Sequence, residues 1–171
     1  MPAYYTYLTA SLPSLAFGTE PPFSYAEFLS LCEPLIPEAD FNILRASAAG
    51  RQPTLQKWFE FDTALRNELA KIRSARKKID PEKYLRRDGF VDPYIAHTAI
   101  NACRSPSPLQ GQKLLDDARW RLLDELCAGH YFDLDSLIIY AQKLLILERW
   151  KRTNSADAPA LLEGLMQASE Q

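Results

Sequence analysis

The sequence predicts an all-α protein, a multi-helix bundle with a long helix and a C-terminal helical hairpin, built as a single helical domain over residues 1–171. Three observations predict it. Between Arg119 and Lys151, two stretches carry apolar residues at helical spacing and are separated by Gly129. From Thr54 to about Ile79 one helical pattern runs without interruption. Asp92-Pro93 and Ser107-Pro108 are matched helix starts, a capping side chain followed by proline where its missing N–H costs nothing.

Taken in order, Tyr4 to Thr9 (YYTYLT) alternates loosely and is rich in β-formers, so one short N-terminal strand is the β element the pattern admits. Pro13, Gly18, Pro21 and Pro22 make an irregular connection. Ser24-Tyr25-Ala26-Glu27 fits a capping box opening a helix over 25–33, which ends before Pro34. Asp40 is expected to cap a short helix through Ala48, with Gly50 terminating it.

The long helix over 54–79 spans roughly 39 Å at 1.5 Å per residue. Leu55, Trp58, Phe61, Leu65, Leu69 and Ile72 share its core-facing arc. Asp62 and Arg66 are four apart and can pair along it. Asp80-Pro81 ends it or begins another turn through Leu85. Helices over about 93–103 and 108–128 follow, and Gly129 takes the position after the second, where a left-handed residue is cheapest. Asp133 can cap the last strong helix, 134–152, whose apolar residues cover nearly its whole circumference and so imply burial between neighbours. A weak terminal helix over 156–166 completes the reading.

The totals narrow the class. With 171 residues and 47% hydrophobic content the chain can bury a real core. Cys32, Cys103 and Cys127 are too few and too far apart for a disulfide framework and suit a reducing cytoplasm. No apolar stretch nears the roughly 20 residues that span a bilayer, so no direct membrane insertion is expected. The opening residues lack a basic leader. Net charge is only −2, yet nine basic and three acidic residues lie between Arg66 and Arg87. Such polarity steers a molecule towards a charged partner. Arg73, Arg76, Lys77, Lys78, Arg86 and Arg87 are the candidate partner-binding residues.

Chemistry is harder to find. Glu148 sits in the apolar arc of Leu137, Ile138, Ala141, Leu144 and Leu145, and Arg119 in the arc of Leu115, Leu122 and Leu126. An unpaired carboxylate in such a place costs several kcal/mol. A basic partner is therefore expected for Glu148; Arg119 falls nearer Lys143 in a simple hairpin, so Arg73 or Arg76 is at least as good a candidate. Glu148, Arg119, Asp62 and Arg66 are thus read as structural ion-pair residues. His130, Asp133 and Asp135 match no metal-ligand spacing, and His97 is isolated. The cysteines lie in apolar settings that disfavour thiolates, and no phosphate-binding glycine loop is present. The expectation is no catalytic residue, no metal and no cofactor.

As a set, YYTYLTASLPSLAFG, FEFDTALRNELAKIRSARKKID and RWRLLDELCAGHYFDLDSLIIYAQKLLILERW resemble an uncharacterised family encoded beside subunits of bacterial V-type (V/A-type) ATPases, over most of residues 4–150. Members are similar in operon position and helical character to the central-stalk subunit called C or d, a non-catalytic helical funnel between the membrane rotor ring and the axle. The resemblance implies a non-enzymatic component or accessory of such an ATPase, cytoplasmic and peripheral to the inner membrane, with the stalk axle and rotor ring as partners. The alternative is a helical nucleic-acid-binding protein using the basic strip 71–87, whose affinity would fall steeply with salt.

Overall fold

A computed structural model describes residues 5–46, 52–86 and 92–155. Its helices are α1 (Thr6–Ser11), α2 (Tyr25–Cys32), α3 (Glu38–Ala46), α4 (Pro53–Lys77), α5 (Pro93–Arg104), α6 (Pro108–Cys127) and α7 (Leu134–Ser155), with a 3-10 turn at Pro81–Lys83. Among the described residues there is no strand, and the protein is an all-α multi-helix bundle.

The expected strand at Tyr4–Thr9 is replaced by α1. Its β-formers are overruled by tertiary anchoring: Leu8 is buried, the Tyr5 amide donates to the Phe132 carbonyl, and the Tyr5 hydroxyl donates to Asp40. Asp40 itself is not the cap of α3. It lies within the first turn of a helix that begins at Glu38, where a carboxylate favours the positive end of the helix dipole. Ala48 and Gly50, the expected close of that helix, and the helix expected over 156–166 lie outside the described residues.

Local start signals are realised side chain by side chain. Ser24 closes its capping box, the Glu27 amide donating to its hydroxyl at 3.2 Å and Glu27 accepting the Ser24 amide at 2.6 Å. Asp92 caps α5 and Ser107 caps α6, each before its proline. Asp133 caps α7 by accepting the Ser136 amide at 3.0 Å. Gly129 has φ +89°, the left-handed turn that reverses the chain between α6 and α7. The long helix starts at Pro53 rather than Thr54, because the Gln52 side chain accepts the Leu55 amide and acts as the cap before that proline. It stops at Lys78, which adopts φ 54°, rather than running to Ile79.

Three apolar regions hold the bundle. Leu8, Phe28, Leu44, Leu137 and Leu144 bind α1, α2 and α3 to α7. Leu65, Ile95, Ala99 and Leu115 join α4, α5 and α6. Trp58, Trp120, Leu123, Ile139 and Leu147 fill the space between α4, α6 and α7. Helices α5 and α6 approach so closely that a Cβ on Gly111 would stand 2.5 Å from the Ala102 carbonyl oxygen. Burial on nearly all sides of α7 over 136–147 matches its all-round apolar pattern.

Candidate functional site

Two features stand out, a chain of charges that is buried at Asp116 and Arg119 and reaches solvent at Arg66 and Arg149, and a basic end on α4.

The chain of charges begins at Asp62 on α4. Its Oδ2 pairs with Arg66 Nε at 2.7 Å, the local pair expected from their spacing. Its Oδ1 accepts from Arg119 on α6, Nε at 2.9 Å and Nη2 at 2.8 Å, two donors converging on one oxygen. Arg119 is 7% exposed. Its Nη1 donates at 2.8 Å to Asp116, one helical turn back and fully buried. Asp116 Oδ1 also accepts Arg149 Nη2 from α7 at 2.5 Å. Its Oδ2 accepts the Trp150 indole N–H at 3.0 Å and Gln112 Nε2 at 3.1 Å. A fully buried carboxylate with donors on both oxygens is satisfied, which is the condition for keeping its charge inside.

Arg119, Asp62 and Arg66 are thus brought together as expected of structural ion pairs. Glu148 is not. Among the described residues no lysine or arginine pairs with it. Its Oε1 accepts the Tyr25 backbone amide at 2.8 Å, so it serves the N–H groups at the start of α2. Asp116, Arg149 and Trp150 are the members that sequence reasoning missed. The available signal was the three-residue step from Asp116 to Arg119, which puts both on the same face of α6.

At the far end of α4, Arg73, Arg76, Lys77 and Lys78 are exposed. Asn67, 8% exposed, folds the following segment back along the helix, donating to the Arg86 carbonyl at 2.8 Å and accepting the Arg86 amide at 2.9 Å. The Arg86 side chain remains exposed; Arg87 lies outside the described residues. Arg76 is partly committed, donating from Nη2 to the Cys103 carbonyl at 2.8 Å and so tying α4 to the end of α5. Ile79 and Tyr84, 43% and 59% exposed, add apolar surface among these cations.

At the opposite end, His130 Nδ1 is 2.6 Å from Asp133 Oδ2 and 3.8 Å from Asp135 Oδ2. The hydrogen bond to Asp133 raises the imidazole above its ordinary value, with Asp135 adding to the effect and partial burial and Lys57 opposing it. Asp135 Oδ1 accepts from both Gln52 and Thr54 at the start of α4. These contacts account for both carboxylates as capping and ion-pairing groups. Elsewhere, burial pushes the Cys32 thiol and the Tyr140 phenol up to about 12.

The fold and these contacts define a class: a helical bundle braced by buried ion pairs, with no described helix long and apolar enough to cross a membrane. Comparison with protein-family models, curated proteins and solved structures finds no match for the chain.

Proposed function

We propose that the protein is a non-catalytic adaptor of a V-type ATPase, linking the stalk axle to the membrane rotor ring from the cytoplasmic side. The observation that carries this reading is the basic end of α4, where Arg73, Lys77, Lys78 and Arg86 face solvent beside exposed Ile79 and Tyr84. Cations of this kind steer an acidic partner surface at long range. The interleaved apolar side chains supply contact area once the partner is docked. The buried charges that fix α4 against α6 and α7 support a mechanical role, since they hold one register of the helices that would carry load. The choice of partner rests on the resemblance of the three sequence segments named above.

The test is co-purification from native membranes in mild detergent with tagged protein and with Lys77→Glu/Lys78→Glu. Wild type should bring down rotor-ring and stalk subunits, and the variant should lose them while keeping its melting temperature. Recovery without any ATPase subunit overturns the reading. Nucleic acid recovered instead, with affinity falling steeply with salt, would favour a nucleic-acid-binding role for the same strip.

A further inference from the structure

Between Arg73 and Arg86, the last turn of α4 and the segment after it hold six basic residues and two acidic ones. Arg73, Lys77, Lys78 and Lys83 are exposed, and among the described residues none of them has an ion-pair partner. Asp80 is occupied as the cap of the 3-10 turn, accepting the Glu82 amide at 3.0 Å. Ile79 and Tyr84 stand among these cations on hydrogen-bonded turns. The Lys78 amide donates to the Ala75 carbonyl at 3.3 Å and the Ile79 amide to the Ser74 carbonyl at 3.1 Å, while the Tyr84 amide donates to the Pro81 carbonyl at 2.9 Å. A helix closed in this way commonly packs the residue after its left-handed position back onto its last turn. Ile79 instead keeps 43% of its surface in solvent.

We infer that this end of α4 is a membrane-surface contact, and that its ligand is the anionic headgroup layer of a lipid bilayer. Unpaired lysines supply point charges that need no fixed partner geometry, which suits mobile phosphate headgroups. Ile79 enters the boundary between headgroups and acyl chains, and Tyr84 lies at headgroup level with its hydroxyl in water. An exposed aliphatic side chain gains little from a nucleic-acid backbone, so the bilayer is the better match for the mixture. Contact is peripheral, since no described helix is long and apolar enough to cross a membrane. The inference rests on the adaptor reading, because it names the acidic surface that the same basic end meets.

The experiment is co-sedimentation of the full chain with phosphatidylcholine vesicles, with and without phosphatidylglycerol. Binding to the anionic vesicles should exceed binding to the neutral ones at least tenfold and should fall as salt is raised. Lys77→Glu/Lys78→Glu should lower it at least tenfold. Ile79→Ser/Tyr84→Ser should lower it several-fold while keeping the salt dependence, and both variants should retain the wild-type circular dichroism spectrum. As a second readout, a Tyr84→Trp variant should gain fluorescence that brominated lipid quenches. Equal binding to both vesicle types, no binding, or wild-type binding by Ile79→Ser/Tyr84→Ser overturns the inference. Tighter binding to a duplex oligonucleotide than to anionic vesicles overturns it in favour of nucleic acid. The vesicles hold no ATPase subunit, so recovery of the ATPase from membranes without vesicle binding removes this inference alone. Vesicle binding without such recovery removes the adaptor reading alone.

Discussion

Arg149 reaches from α7 to the fully buried carboxylate of Asp116 on α6, at 2.5 Å, and shares that oxygen with Arg119. Two guanidinium groups therefore converge on one anion inside the bundle, and Asp62 balances the second face of Arg119. The balance is what makes the arrangement fragile to single changes.

Asp116→Asn should be among the most damaging single substitutions in the protein. It leaves Arg119 buried with half its partners and Arg149 without a charged one. Breaking a buried pair from one side costs roughly 3–5 kcal/mol. Thermal melting should fall by about 6–20 °C at roughly 2–4 °C per kcal/mol. A double-mutant cycle of Asp116→Asn with Arg119→Met should give a combined loss smaller than the sum, because the second change removes the stranded charge. Strict additivity would show that the two side chains act independently.

Glu148→Ala should cost about 1 kcal/mol, the usual loss for removing a helix cap, since the Tyr25 amide then loses its acceptor on α7. Glu148→Gln keeps an acceptor oxygen and should recover most of that loss. Chemical denaturation of the two variants checks the order. Equal destabilisation would show that the charge, and not the hydrogen bond, matters.

Gly111→Ala should destabilise, although glycine to alanine inside a helix ordinarily gains about 1 kcal/mol. The new methyl would meet the Ala102 carbonyl oxygen at 2.5 Å, and backbone cannot swing aside as a side chain can. Forcing α5 from α6 should cost about 1–3 kcal/mol, the range for overpacked cores. A melt showing stabilisation would refute the close approach.

His130 should give the stability a small dependence on pH near neutrality. Its imidazole is held above the ordinary value by Asp133, so its contribution is complete below the unfolded value of about 6.5 and is lost as pH rises through the folded value. Lys57 of α4 opposes the shift and Asp135 reinforces it. The imidazole is 37% exposed, so screening keeps the effect modest. Melting temperature against pH should therefore decline across this window in the wild type, and His130→Gln should flatten that decline. A parallel profile for the variant would assign the pH dependence to other groups.

Features set by neighbouring residues were legible in the sequence. The capping box at Ser24, the Asp92-Pro93 and Ser107-Pro108 starts, the left-handed Gly129 and the Asp62–Arg66 pair all depend on residues within four positions. What was hidden depends on contacts distant along the chain. YYTYLT has strand-like composition, yet Tyr5 is captured by Asp40 and Phe132 and the segment coils. Apolar neighbours mark Glu148 as a carboxylate in need of a partner, but helical spacing cannot reveal that the start of α2 supplies it. Nothing in the sequence separates Asp116 from its neighbour Asp117, and only the arrival of α7 shows that Asp116 is inside. The basic strip was legible as a charge run, whereas the folding back of Arg86 through Asn67 was not.

Asp135, in the first turn of α7, also accepts from Gln52 and Thr54 at the start of α4. The two longest helices therefore begin side by side, with one negative group serving two electropositive starts. Two helix starts brought together would otherwise repel there. Asp135 therefore ties the start of α7 to the start of α4, and its loss would release two donors, Gln52 and Thr54, at once.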